Sequence, residues 1–178
     1  MFQIRQGCFE TNSSSSHSLI VMKEDMPFPD MFEPERYIWN GKITIWTDDL
    51  EFGRSPFDIL ADWYGRLRYA IASIGRDQYK EIEAACYKRI DGLKEIEIYG
   101  SNTEFDKYGY VDHQSDGLLK AFLFEQDISL EDFIFNDRYI VVIDGDEYEV
   151  FDTMLDAELI DKTKIEKIRG VHGYDCNS

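Results

Sequence analysis

The sequence predicts a single α+β domain spanning residues 1–178. It consists of a mainly antiparallel sheet built from hairpins, with a helical pair inserted at about residues 55–91. Three observations lead to this fold class. Short stretches of alternating apolar and polar residues are separated by turn-forming residues, which is typical of hairpins. Helical spacing of apolar residues is concentrated in the middle of the chain. The 178 residues show no internal repeat and no linker, which fits one domain.

The first two hairpins are predicted in the N-terminal part of the chain. One joins Phe2–Gln6 to His17–Met22 through a serine-rich loop. The other lies within Tyr37–Trp46, where Asn40 and Gly41 separate two apolar runs. These two residues favour a type I′ turn because both tolerate a positive φ angle.

The helical pair follows. Ser55 is the predicted N-cap of the first helix, and Pro56 fits its first helical position. Apolar residues then recur at helical spacing at Phe57, Leu60, Trp63, Tyr64, Leu67, Ile71 and Ile74. A second helix is predicted from about Asp77 to Ile90. We expect the three tryptophans, Trp39, Trp46 and Trp63, to lie in the core.

The C-terminal half also mixes strands and helices. The predicted elements are a strand at Lys94–Tyr99, a short strand around Tyr108–Val111, a helix over Ser115–Phe124, a helix capped by Ser129, and a hairpin of Arg138–Ile143 with Glu147–Phe151 across Asp144-Gly145-Asp146. A short basic helix at Lys162–Arg169 and a tail complete the chain.

The charge is the most informative feature of the composition. The chain carries 19 Lys and Arg against 36 Asp and Glu, a net charge of −17. Residues 91–161 alone hold 20 acids and 4 bases. Such a balance disfavours direct binding of free nucleic acid and favours either a solubilising surface or a surface for a basic partner. The short basic helix predicted at Lys162–Arg169 can pair with the acidic surface of its own chain or of a second copy, so a homodimer stays open.

The remaining composition predicts a cytoplasmic protein that does not bind membranes. The three cysteines are odd in number and widely spaced, which indicates neither a disulfide framework nor a zinc site. Residues 1–10 lack the apolar stretch of a signal peptide. The longest apolar runs are too short to span a bilayer.

The serine-rich loop is the first candidate site. It offers hydroxyls, backbone donors and an imidazole from Asn12, Ser13, Ser14, Ser15, Ser16 and His17. Side-chain to backbone hydrogen bonds within a polar loop are the plainest interpretation. Contact with a phosphate or a partner is the second. A Ser–His nucleophile is the third, and it requires a further group to orient His17.

A resemblance begins at the same loop. The run Phe9–Ser18, FETNSSSSHS, resembles the opening of a family of small phage and mobile-element proteins. Tyr110–Ser115 and the turn Asp144–Asp146 look like later landmarks of that family. The chain is also similar in size and style to type II-A anti-CRISPR proteins, which inhibit Cas9. The resemblance implies an origin in a mobile element and an inhibitor role.

A metal site is the second candidate. Asp112 and His113 end a predicted strand, and Asp144 and Asp146 lie in a predicted turn. Carboxylates at two strand ends can bind Mg²⁺ or Mn²⁺ and support phosphodiester hydrolysis. The same acids are also ordinary turn residues, so the favoured expectation is no cofactor.

The acidic surface is the third candidate and the favoured one. Glu95 and Glu97 alternate along a strand and should point the same way, roughly 6.6 to 6.8 Å apart. The predicted partner-binding residues are Glu95, Glu97, Glu125, Asp127, Glu131, Asp132, Asp144, Asp146, Glu147 and Glu149. Carboxylates can take the place of phosphates in a basic groove, and neighbouring aromatic residues can add apolar anchors.

These observations predict a non-enzymatic inhibitor. Its expected partner is a basic nucleic-acid-handling enzyme, with a Cas9–guide RNA complex favoured, and it would block nucleic-acid binding or cleavage. Two alternatives stay open, namely a metal-dependent phosphodiester hydrolase and an acidic structural or scaffold protein of a phage.

Overall fold

The computed structural model describes residues 16–22, 32–52, 58–75, 78–100, 108–111 and 117–144. These residues form the predicted α+β fold, in which antiparallel strand pairs predominate. The strands are β1 Ser16–Val21, β2 Ile38–Trp39, β3 Lys42–Trp46, β4 Glu51–Phe52, β5 Asp58–Leu60, β6 Glu95–Tyr99, β7 Tyr110–Val111 and β8 Tyr139–Asp144. The helices are α1 Trp63–Ser73, α2 Tyr79–Arg89, α3 Leu118–Gln126 and α4 Leu130–Phe135. The strand predicted at 2–6 and the helix predicted at 162–169 lie outside the described residues.

One sheet has the order β1-β8-β5, and both of its pairings are antiparallel. Its central strand, β8, contains the continuous apolar run Tyr139–Ile143, in which every residue is buried. Val141–Ile143 pairs with β1 on one edge and with β5 on the other. Both edges of Val141–Ile143 are therefore occupied, which leaves neither for the second strand of the predicted hairpin, Glu147–Phe151; that segment lies outside the described residues.

A second sheet has the order β2-β3-β6. Asn40 and Gly41 join β2 to β3 with φ angles of 53° and 80°, the positive values that a type I′ turn requires. The pairing of β3 with β6 is parallel, as is that of β4 with β7 in a third, two-stranded sheet. Parallel neighbours need a long crossover connection, and α1 and α2 lie in the segment between β3 and β6.

The first helix begins later than the sequence predicts. The segment Asp58–Leu60 is strand β5, because its backbone pairs with β8. The helix α1 begins at Trp63, where the Asp62 carboxylate accepts a hydrogen bond from the Gly65 backbone N–H. The helix predicted from Ser55-Pro56 is thus wrong at its start, and residues 53–57 lie outside the described part.

The later helices are close to their predicted positions. The observed α2, Tyr79–Arg89, falls inside the predicted range of about Asp77 to Ile90. At α4 the Ser129 Oγ accepts a hydrogen bond of 3.0 Å from the Asp132 backbone N–H, so Ser129 is the N-cap.

Helix α1 is largely buried among the described elements, and Arg66 connects it to its neighbours. The Arg66 side chain is 2% exposed and donates hydrogen bonds to the backbone carbonyls of Ile134 (2.9 Å), Ala61 (2.5 Å) and Tyr139 (2.9 Å). Burial lowers the pKa of Arg66 to about 10, which leaves the guanidinium charged at neutral pH. One buried cation thus holds α1 against α4 and β8.

Candidate protein-interaction face

The β2-β3-β6 sheet presents one face to the core and one to the outside. Along β3 the side chains of Ile43 and Ile45 are fully buried, whereas the residues between and beside them point outward. Cross-strand partners share a face, so the register brings the outward side chains of the three strands together. The resulting set, called the outer face below, consists of Trp39, Lys42, Thr44, Trp46, Glu95, Glu97 and Tyr99.

The charged part of the outer face is a lysine held between two glutamates. The Lys42 Nζ lies 2.7 Å from Glu95 Oε2 and 2.7 Å from Glu97 Oε1, so both carboxylates point the same way. The Tyr99 hydroxyl donates a hydrogen bond of 3.1 Å to Glu97 Oε2. The hydrogen bonds that Lys42 donates to Glu95 and Glu97 raise the pKa of Lys42, and the bond from Lys42 is the main cause that lowers the pKa of Glu97. The formal charge of Lys42, Glu95 and Glu97 together is −1.

The apolar part of the outer face is aromatic. Trp39 is 80% exposed, Trp46 59% and Tyr99 46%. The rings of Trp46 and Tyr99 are neighbours, with centroids 5.5 Å apart. The expectation that all three tryptophans are core residues is therefore wrong for Trp39 and Trp46, and only Trp63 is buried, at 2% exposure. Exposed tryptophan and tyrosine side chains of this kind are enriched at protein interfaces.

The acids predicted at 125–132 lie on different elements, at the corner between α3 and α4. Glu125, Asp127 and Asp132 are exposed, and Glu131 pairs with Lys88 at 2.7 Å. Asp127 ends α3 with a positive φ of 53°. Beside this corner lies an open cleft of about 450 Å³, lined by Lys88, Arg89, Ser129, Glu131, Asp132, Phe135 and Asn136. The predicted acids thus fall into at least two groups, each with its own lysine.

The remaining predicted acids are largely outside the described residues. The backbone of Asp144 is at the end of β8, opposite Ser16. Five of the predicted residues lie outside the described part of the chain, namely Asp112, His113, Asp146, Glu147 and Glu149. The predicted Mg²⁺ or Mn²⁺ site depends on three of them, Asp112, His113 and Asp146. The described residues contain no group of three or more His, Cys, Asp or Glu side chains arranged to hold a metal ion.

The serine-rich loop is represented by its last two residues. Ser16 and His17 belong to β1, and Asn12 to Ser15 lie outside the described residues. The His17 ring is 5% exposed, and its Nδ1 lies 3.1 Å from the hydroxyl of the fully buried Tyr69. The His17 imidazole thus packs inside the fold, and the predicted contact of the loop with a partner stays a prediction.

Sequence reasoning missed the exposed aromatic residues. The signal was present in Lys42–Trp46, since two buried isoleucines at positions 43 and 45 force their neighbours to the opposite side of the strand. Tryptophan side chains are large and apolar, and this residue type alone led to the prediction that they lie in the core.

No family model, curated protein or solved structure matches this chain. Among the described residues, no helix has the length and apolar character needed to cross a bilayer.

Proposed function

We propose that this chain is a non-enzymatic inhibitor of phage or mobile-element origin that binds a basic nucleic-acid-handling enzyme in the host cytoplasm, with a CRISPR–Cas9 effector as the favoured target. The observation that carries the proposal is the outer face, where exposed Trp39, Trp46 and Tyr99 stand beside Glu95 and Glu97. Tryptophan and tyrosine side chains are enriched in protein-binding hot spots.

The overall charge supports the class of partner. A chain with a net charge of −17 attracts basic surfaces at long range and repels free nucleic acid. A groove that neutralises phosphates with Arg and Lys can bind carboxylates with the same groups. The exposed acids Glu125, Asp127 and Asp132 are a second group able to meet such a groove. Occupation of the groove would block nucleic-acid binding or the step that follows it.

The resemblance of Phe9–Ser18 to the opening of phage and mobile-element proteins supports the biological setting. Proteins of that origin gain from disabling a host nuclease. An inhibitor of this kind acts through a binding surface, the role proposed here for the outer face.

The test is capture of a purified Cas9–guide RNA complex by the immobilised chain, followed by a DNA-cleavage assay. We expect capture at low salt, loss of capture at high salt because the attraction is between exposed charges, and inhibition of cleavage at low salt. EDTA present during capture should change nothing. Absence of capture at either salt would contradict the proposal, and self-assembly without any effect on cleavage would favour a scaffold role instead.

A matched pair of variants links the test to the surface. Trp46→Ala/Tyr99→Ala removes two rings of the outer face. Phe124→Ala removes a ring that is 88% exposed on α3, and serves as the control. We expect the double variant to lose capture and the control to retain it.

A further inference from the structure

We infer that the outer face binds an arginine side chain of its protein partner, seated between Glu95 and Glu97 and against the rings of Trp46 and Tyr99, and that Lys42 is a resident cation with which this arginine competes. This inference rests on the proposed function, since it names the group by which the partner is recognised.

The two carboxylates form a site for one cation. A single ammonium group contacts both of them at 2.7 Å, although its side chain is 43% exposed. The Tyr99 hydroxyl holds the second oxygen of Glu97, which orients that carboxylate on the strand. Because the lysine is only one charge against two, the outer face still attracts a further cation.

The aromatic rings make arginine the better occupant. A guanidinium is planar, has five donors in a fixed fork and stacks on aromatic rings, whereas an ammonium is a compact and strongly hydrated point charge. Trp46 is directly opposite Tyr99 in the register, two residues along from the Thr44–Glu97 pair. A guanidinium that binds Glu97 can therefore lie against the Trp46 or Tyr99 ring at the same time.

The role of Lys42 follows from its exposure. In the free protein its ion pairs are in contact with water, where such pairs contribute little. When a partner covers the outer face, water leaves and each charge interacts more strongly. A partner arginine then has two contacts that Lys42 lacks, namely a bidentate carboxylate bond and a ring face. Lys42 thus lowers the affinity for basic segments in general and favours arginine over lysine.

The test uses two peptide probes of equal charge, fluorescently labelled nona-arginine and nona-lysine, whose binding is measured by anisotropy at one ionic strength. Both are attracted by the acidic chain, so the readout is the ratio of their affinities. We expect nona-arginine to bind about 2- to 5-fold more tightly than nona-lysine, which is the gain in affinity that one cation–π contact at an exposed ring provides. Trp46→Ala/Tyr99→Ala should lower this ratio, because it removes the rings and leaves the carboxylates in place, and Phe124→Ala should leave the ratio unchanged. Equal affinities in the wild type would overturn the inference.

The competition is tested by Lys42→Met. This variant should bind nona-arginine more tightly, by about 2- to 5-fold, the range of an exposed ion pair. Lys80→Met, at an exposed position on α2, makes the same change in net charge and should have a smaller effect. Glu97→Gln should weaken binding more than Glu81→Gln, which is its match on α2. Weaker binding by Lys42→Met, or equal effects of the two lysine variants, would overturn the inference.

Two further outcomes separate the inference from the proposed function. If Trp46→Ala/Tyr99→Ala captures the Cas9–guide complex as efficiently as the wild type does, the inference is overturned and the proposed function still stands. Failure of the wild type to capture the complex, with the arginine preference intact, would refute the proposed target and support the inference. If the wild type is a dimer and the double variant is a monomer, the occupant of the outer face is a second copy of the chain, and the inference is overturned.

Discussion

The two three-stranded sheets use their surfaces in opposite ways. In the β1-β8-β5 sheet the run Tyr139–Ile143 of the central strand is buried at every residue, so both sides of that strand are interior. In the β2-β3-β6 sheet the residues alternate between buried isoleucines and exposed aromatic or charged side chains. The first sheet thus has its central strand within the core, whereas the second has one face in contact with solvent. Four predictions test this comparison.

The largest expected effect compares a buried and an exposed side chain of the two sheets. Leu19→Ala in β1, where Leu19 is 1% exposed, should lower the free energy of unfolding by about 2–5 kcal/mol, because it leaves a cavity. Trp46→Ala removes more atoms but should cost less than about 1 kcal/mol, the value of a cross-strand pair. Urea denaturation measures both. Similar midpoints for the two variants would show that the outer face is also structural.

The next effect is a pH dependence that distinguishes two tyrosines. Burial raises the pKa of Tyr69, which is fully buried next to His17. The unfolded chain loses the Tyr69 hydroxyl proton near pH 10, while the folded chain keeps it. The contribution of Tyr69 to the free energy of unfolding is therefore intact below about pH 10 and is lost as the pH rises above it. Above pH 10 the free energy of unfolding of the wild type should fall by up to about 1.4 kcal/mol per pH unit because of Tyr69, and Tyr69→Phe should remove this part of the slope.

Tyr99 is the matched control in the second sheet. Its pKa is also raised, because its hydroxyl donates a hydrogen bond to Glu97, but it is exposed to solvent. Solvent screens this exposed hydrogen bond, so Tyr99→Phe should change the slope of stability between pH 10 and 11.5 in the same direction as Tyr69→Phe but by a smaller amount. Thermal melts across this range measure the slopes, and an equal change in both variants would contradict the buried state of Tyr69.

A smaller effect concerns the turn that sets the register of the outer face. Gly41 has a φ of +80°, and a Cβ atom there would lie 2.9 Å from the Gly92 carbonyl oxygen. Gly92 has a φ of +76° with open space around it. Both Gly→Ala changes should cost about 1–2 kcal/mol in backbone strain, and Gly41→Ala should cost more because of the contact. Chemical denaturation of the two variants tests the order, and a more damaging Gly92→Ala would refute it.

The smallest effect on stability is expected at Trp39, which is 80% exposed. Trp39→Ala should change the free energy of unfolding by less than about 0.5 kcal/mol. The same variant should weaken capture of the Cas9–guide complex, because Trp39 belongs to the outer face. Loss of stability without loss of capture would assign Trp39 to the fold and remove it from the proposed interface.

The sequence predicted those parts of the candidate site that depend on neighbouring residues. Alternation along β6 correctly placed Glu95 and Glu97 on one face, because side chains two residues apart share a side of a strand. It did not predict Lys42 between them, since Lys42 comes from a strand paired in parallel more than fifty positions away. Nor did it separate these glutamates from the acids at the α3–α4 corner.

The acidic charge, the α+β class, the turn at Asn40-Gly41 and the cap at Ser129 could be predicted from the sequence, because each depends on composition or on bonds within a few residues. That Asp58–Leu60 is a strand, and that β8 lies between β1 and β5, became evident from the folded chain. The same is true of the exposure of Trp39 and Trp46. The physical reason is that strand pairing and burial join residues far apart in the chain, where the free energy of covering β8 outweighs a local preference such as the helical start at Ser55.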